Sequence, residues 1–216
     1  MTVNTTQDPH AQQPVRQLGT PLRDAKRVVI LLHGRGADAA DILGLSEYLD
    51  IEDTCFMAPE AYGRQWYPQR FTVSVEQNEP FLTSALSLVD SLVMHALAAG
   101  VSAEKLVLGG FSQGACLALE YAAQNPRPYA AVVALSGGLI GETLDTSRYG
   151  KDMTGMTVFL GCSDVDPHIP LARVQESTVL FEQAGATVTE RIYPGMPHTI
   201  NEDELNWLGE RLTSLD

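Results

Sequence analysis

The sequence predicts an α/β domain: a mostly parallel central sheet with helices packed on both faces. Three observations carry that reading. Short runs of Val, Ile, Leu and Ala recur along the 216 residues. Several are nearly continuous rather than alternating, as strands covered on both faces require. Helix-length stretches separate them, the alternation that builds parallel crossovers. One run, Leu106-Val107-Leu108, leads directly into Gly109-Gly110-Phe111-Ser112-Gln113-Gly114, a G-x-S-x-G placed where a buried strand turns sharply into a helix.

In chain order, residues 1–17 are polar and rich in Thr and Gln, with neither an apolar core nor a basic start. They are therefore expected to be a flexible N-terminal tail and not a signal peptide, with one domain over 18–216. Strands are expected at Val28–Leu32, Cys55–Ala58, Leu106–Leu108, Ala131–Leu135, Thr157–Gly161 and Val188–Tyr193. Pro80–Ala99 repeats Leu82, Ala85, Leu86, Val89, Val93 and Leu97 at helical spacing and ends at Gly100. Further helices are expected over Ser112–Gln124, stopped by Asn125-Pro126, over Leu171–Gln183, and over Glu202–Leu212 with Leu205, Leu208 and Leu212 on one face. The irregular stretch from Ala61 to Asn78 is of the long kind that is either functional or mobile. No internal repeat or linker marks a second domain. No run is expected to reach the length needed to cross a bilayer.

The formal net charge of -13 argues against nucleic acid or an anionic membrane surface as partner, because phosphate binding needs clustered cations. Of the 3 cysteines, Cys55 and Cys162 lie in apolar strand-like runs and Cys116 sits one turn after Ser112 on the expected helix, without metal-ligand spacing. They are expected to be buried free thiols in a reducing, cytoplasmic compartment.

The glycines around Ser112 let strand and helix approach closely while Ser112 takes a strained backbone at the apex. Its hydroxyl is thereby lifted clear, and the next amide, Gln113, opens a helix, where a free N–H and the helix dipole can meet an oxyanion. A serine hydroxyl needs a base, and the base needs an orienting carboxylate. Of 5 histidines, His10 falls in the tail and His95 within a helix. His33 follows a strand inside His33-Gly34-Arg35-Gly36, and His168 is two residues from the best acid. His198 closes the loop after the last strand, the position that the order Ser, Asp, His requires, and is the expected base. The acid follows Thr157–Gly161, where Asp164 and Asp166 compete. Asp166 is favoured because Pro167 fixes its local geometry. His33-Gly34-Arg35-Gly36 offers the second oxyanion donor, the Arg35 amide, while the Arg35 side chain either meets an acidic substrate or forms a surface salt bridge. Asp38 and Asp41 read as the acidic start of a helix.

Together, Leu32-His33-Gly34-Arg35-Gly36, Gly110-Phe111-Ser112-Gln113-Gly114, Asp166-Pro167-His168-Ile169-Pro170 and Gly195-Met196-Pro197-His198 resemble the phospholipase/carboxylesterase family of small α/β-hydrolases, relatives of acyl-protein thioesterases. The resemblance runs from about Val28 to the C-terminus. It implies an α/β-hydrolase fold without a large lid domain, Asp166 as the triad acid, and a serine carboxylesterase working through an acyl-enzyme, with thioester or lysophospholipid hydrolysis as alternatives and a non-catalytic binding protein as the rival class. It implies no metal or organic cofactor, a small-molecule ester as partner, no stable membrane association, and a homodimer as one arrangement. The segment Ala61–Phe71 resembles bacterial and archaeal carboxylesterases, with Trp66, Tyr67 and Phe71 as walls of an open cleft or as loop packing. Met196 either lines the same pocket or packs its turn.

Overall fold

The computed structural model describes residues 8–49 and 51–215. Its described strands form one seven-stranded sheet in the order β1-β3-β2-β4-β5-β6-β7, parallel throughout except for β1 (Val15–Gly19), which runs antiparallel to β3 (Thr54–Pro59). At the centre lie β2 (Arg27–Leu32) and β4 (Leu106–Phe111), flanked by β5 (Ala131–Leu135), β6 (Thr157–Ser163) and β7 (Thr187–Tyr193).

The period-2 alternation of the strand divides the apolar run of β2 between two cores. Val28, Ile30 and Leu32 pack on one face with Leu82, Val89, Leu117 and Phe181, beneath α2 (Phe81–Ala98), α3 (Gln113–Gln124) and α4 (Leu171–Gln183). Val29 and Leu31 pack on the other with Ile42, Leu208 and Leu212, from α1 (Ala39–Leu43) and α5 (Glu202–Thr213). Both faces being covered is what the continuous apolar strands required. Asp38 caps α1 by accepting from the amides of Ala40 and Asp41, each at 3.0 Å. At the start of α5, Asn201 and Glu204 form a reciprocal capping box.

Register decides which loops meet. Leu32 stands opposite Gly110, so the loop leaving β2 and the turn leaving β4 emerge side by side. Ser163 stands opposite Tyr193, which brings the loops after β6 and β7 together in the same way. All four leave the carboxyl edge of the sheet, where ligands bind in this class of fold.

Two expectations are corrected. The flexible tail expected over residues 1–17 has defined structure over 8–17, anchored by the buried Pro9 and His10 and by the start of β1, and residues 1–7 lie outside the described residues. β1 straddles the expected boundary at residue 17, and His10 is buried. The His10 amide donates to Ser84 Oγ at 2.8 Å, its Nε2 donates to the Trp66 carbonyl at 3.0 Å, and its Nδ1 accepts from the Tyr62 amide at 3.1 Å. Burial holds the His10 pKa below its ordinary value, although the bond to Trp66 and the charge of Asp8 pull upward. Composition understated this segment because its anchoring comes from backbone pairing and one histidine rather than from apolar content.

Helix α2, with 18 residues and a mean hydropathy of 1.5, is long and apolar enough by those measures to cross a bilayer, contrary to the expectation that no run is. Its contacts are those of a core helix. Leu82, Ala85, Val89, Val93 and Ala96 are buried, and Asp90 accepts from the Tyr121 hydroxyl at 2.8 Å.

Candidate active site

At the end of β4 the chain must turn within one residue, and the two flanking glycines make room for it. A Cβ on Gly110 would lie 2.6 Å from the Leu32 carbonyl oxygen and from the Gly114 carbonyl carbon. One on Gly114 would fall inside the Leu32 carbonyl and 2.6 Å from that of His33. No real Cβ tolerates such backbone contacts, so α3 can dock on β2 only with hydrogen at both positions. Between them Ser112 sits at φ 54°, ψ -116°, a left-handed backbone strained for a non-glycine residue. It is held there by its amide, which donates to Leu135 at 2.9 Å, and by its carbonyl, which accepts from Cys116 at 3.0 Å.

Ser112 Oγ lies 2.9 Å from His198 Nε2, and His198 Nδ1 lies 2.6 Å from Asp166 Oδ2. The Asp166 carboxylate is fully buried and can only accept, so Nδ1 carries the hydrogen and Nε2 turns its lone pair toward the serine. Burial opposes ionisation of Asp166. The bond to His198 and the amides of His168 and Ile169, at 2.8 and 3.0 Å on Oδ1, outweigh it and hold the pKa below the usual carboxylate value. The structure thus brings Ser112, His198 and Asp166 into one hydrogen-bonded line. Asp164 has a different place: its Oδ1 accepts from the Gly195 amide at 2.7 Å, fastening the histidine loop to the acid loop.

Around the serine, the amides of Arg35 and Gln113 donate to no group among the described residues. Gln113 is the first residue of α3, where an N–H has no intrahelical partner. The side chains of the same two residues converge on one atom. Gln113 Nε2 and Arg35 Nη2 both donate to the Tyr67 carbonyl, at 2.8 and 2.9 Å. Gln113 Oε1 also accepts from the Trp66 amide at 2.8 Å. The Arg35 guanidinium donates further to the carbonyls of Pro68 and Gln69 and to Gln65 Oε1. Of the two roles expected for this side chain, the surface salt bridge is replaced by a clamp on neutral oxygens.

The cleft of about 470 Å³ over Ser112 is walled by Tyr67, Phe71, Phe111, Ile169 and His168, with Arg70 and Asp41 also on its lining. Tyr67 and Phe71 thus occupy the walls expected of them. Trp66 does not. It is completely buried, its indole donating to the His33 carbonyl at 2.8 Å, so the loop turns this aromatic into the core as its anchor. Met196 also stays outside the cleft and accepts from Asn201 Nδ2 at 3.1 Å beside Tyr193 and Pro194. His33 is likewise a loop fastener, donating from Nδ1 to the Gly34 carbonyl and accepting at Nε2 from Ala61. Cys116 lines the floor, but burial pushes its thiol up to about 12, so it offers no thiolate nucleophile. A larger cavity of about 770 Å³, between Lys26 and Leu215 at the opposite edge of the sheet, contains none of these groups.

The sequence offered no pattern for the second job of Gln113 and Arg35. Their side chains reach a loop some thirty to fifty residues away, and only the G-x-S-x-G and the His33-Gly34 turn marked their neighbourhood.

Fold and site together define a serine hydrolase of the α/β-hydrolase class, a carboxylic ester hydrolase. A profile of the Phospholipase/Carboxylesterase family matches residues 16–215. Similar proteins include a phospholipase/carboxylesterase from Dyadobacter fermentans, whose crystal structure is 42% identical with a TM-score of 0.90, covering 94% of this chain and 97% of that one. Acyl-protein thioesterase 1 of Kluyveromyces lactis is 28% identical over 91% of this chain and 95% of its own length. The crystal structure of esterase PE8 is 25% identical with a TM-score of 0.76, covering 95% of this chain and all of that one. The chain belongs to the phospholipase/carboxylesterase family.

Proposed function

We infer that this protein is a carboxylesterase for small to medium esters, acting through an acyl-enzyme on Ser112. The unbroken line from Ser112 through His198 to the buried Asp166 is the observation that carries the reading. Ser112 Oγ attacks the ester carbonyl carbon as its proton passes to His198 Nε2. The carbonyl oxygen, now an oxyanion, lies against the amides of Arg35 and Gln113. Collapse of the tetrahedral intermediate breaks the bond to the alcohol, which leaves with the proton from Nε2. Water then enters, gives a proton to Nε2 and attacks the acyl-serine, and a second collapse releases the acid and restores the serine. Asp166 remains ionised throughout, holding the imidazole in its working tautomer and stabilising the imidazolium. This chemistry needs neither a metal nor an organic cofactor.

Thioester hydrolysis is the second reading, favoured by the name of the Kluyveromyces lactis relative. The same attack serves either bond, and direct competition between matched oxygen and thiol esters separates them. The cleft of about 470 Å³ over Ser112 supports acyl groups of small to medium size on either bond.

The test is hydrolysis of 4-nitrophenyl esters from acetate to decanoate with Ser112→Ala beside the parent, together with fluorophosphonate labelling. Activity is expected on short chains, falling with length, and down at least about 10³-fold in Ser112→Ala. Unchanged turnover in that variant, or a parent serine that resists labelling, would overturn the reading.

A further inference from the structure

The cleft over Ser112 carries a charge pattern opposite to that of the chain. The protein has 27 acidic against 14 basic residues, yet two arginines, Arg35 and Arg70, line this cleft against one aspartate, Asp41. The two arginines differ in what they have left to offer. Both Nη atoms of Arg35 already donate twice, to Gln65 Oε1 and the carbonyls of Tyr67, Pro68 and Gln69, so only its Nε–H stays open. Those acceptors are neutral and leave its positive charge uncompensated.

Arg70 is held by its backbone alone. Its carbonyl accepts from Asn78 Nδ2 at 3.2 Å and from the Val73 amide at 3.3 Å, while Asn78 Oδ1 accepts from the neighbouring Gln69 amide at 2.8 Å. The guanidinium itself has no hydrogen bond or ion pair among the described residues. A fixed backbone thus presents an unengaged planar fork beside the apolar walls Tyr67, Phe71 and Phe111. That fork matches a carboxylate in two parallel N–H···O bonds.

We propose that the preferred substrate is an ester that also bears a carboxylate, held by Arg70 while Ser112 attacks the ester carbonyl. The proposal rests on the esterase reading and names its substrate class. A single negative charge suits the site better than a phosphate dianion. Only one fork is free, Asp41 lies on the same lining, and the field of a chain at -13 disfavours a more highly charged anion.

The experiment compares 4-nitrophenyl hydrogen adipate with 4-nitrophenyl hexanoate, and 4-(butyryloxy)benzoate with its methyl ester, so that the carboxylate is tried on either side of the scissile bond. Background is taken from Ser112→Ala. At low ionic strength the kcat/KM ratio of anionic to neutral ester is expected to exceed one for at least one pair. It should fall roughly two- to fivefold in Arg70→Gln, the range of an exposed ion pair, fall further in Arg70→Glu, and shrink in 0.5 M salt. Arg23→Gln, the same charge change just before β2 at the opposite edge of the sheet, should leave the ratio in place. A ratio equal in parent and Arg70→Gln, an equal fall in Arg23→Gln, or a stronger Arg70-dependent preference for a phosphomonoester-bearing ester would each overturn the proposal. Serine-dependent turnover of the neutral esters alongside such a result leaves the esterase reading standing. Absence of serine-dependent turnover on every ester removes both.

Discussion

Replacing Gln113 with alanine removes two hydrogen bonds of unequal consequence, and the inequality sets the expected cost. The Trp66 amide, on a completely buried residue, loses its acceptor at 2.8 Å. A buried donor left without a partner costs about 1–3 kcal/mol. The Tyr67 carbonyl loses the Nε2 donor but keeps Arg35 Nη2 at 2.9 Å, so only the net value of one bond, about 0.5–1.5 kcal/mol, disappears there. The sum is about 1.5–4.5 kcal/mol, large against the roughly 5–15 kcal/mol of a typical domain yet compatible with a folded variant. The Gln113 amide survives the substitution, but the loop it faces is released. A displacement near 1 Å of that wall is expected to lower kcat/KM by about 10²-fold. Urea unfolding followed by tryptophan fluorescence reads the first quantity and steady-state ester hydrolysis the second. Because Arg35 holds the same carbonyl, Gln113→Ala and Arg35→Ala together should depart from additivity by at least about 0.5 kcal/mol. A loss below about 0.5 kcal/mol for Gln113→Ala, with kcat/KM within twofold of the parent, would refute the view that this side chain ties turn to loop.

Three further substitutions test packing and titration. Gly114→Ala places a methyl group against the carbonyls of Leu32 and His33 and should cost about 1–3 kcal/mol or more, with loss of activity as α3 shifts; Gly209→Ala, in α5 with its nearest neighbour 3.7 Å away, should instead stabilise by about 0.5–1 kcal/mol in the same unfolding assay. Burial pushes the Glu204 carboxyl up to about 7, and its Oε1 is buried without a hydrogen-bond partner among the described residues. The folded state therefore keeps a proton that the unfolded chain releases near the ordinary carboxyl value of 4.5, so stability falls as pH rises from 4.5 to 7. Glu204→Gln should gain on the parent by about 3 kcal/mol across that window. Parallel unfolding curves at pH 5, 6, 7 and 8 would contradict it.

What the sequence makes legible follows from how local each signal is. The strands announce themselves because the two-sided burial of β2 and β4 demands continuous apolar runs. The turn at Ser112 is legible because a strand, two glycines and a helix are contiguous. The neighbourhood of His198 and Asp166 follows from strand order, since the loops after β6 and β7 leave one edge in parallel register. The failures are equally physical. Trp66 reads like a substrate wall by composition, but its direction is decided by the carbonyl of His33, in another loop. Residues 8–17 read as tail because antiparallel pairing of β1 with β3 is a backbone interaction, and because one histidine bridging Trp66 and Tyr62 leaves no compositional mark.

The loop from Ala61 to Asn78 is where these threads meet. Polar side chains from well-separated parts of the chain hold it: His10 at Tyr62 and Trp66, His33 at Ala61, Arg35 from Gln65 to Gln69, and Gln113 at Trp66 and Tyr67. Two of the four, Arg35 and Gln113, line the cleft beside Ser112 and are the residues whose amides we propose as the oxyanion donors. The wall of the cleft and the two proposed oxyanion donors are therefore tied together by hydrogen bonds. A substitution that loosens the wall is felt at the reacting centre, as small displacements in preorganised sites are. Variation in substrate preference then falls to side chains that the assembly does not use. Phe71 supplies apolar surface, and Arg70, whose backbone is tied by Asn78 while its guanidinium is not, supplies charge. Changing Arg70 alters what the cleft recognises without untying what holds it in place, whereas Phe71 is also part of the core and its replacement costs packing as well.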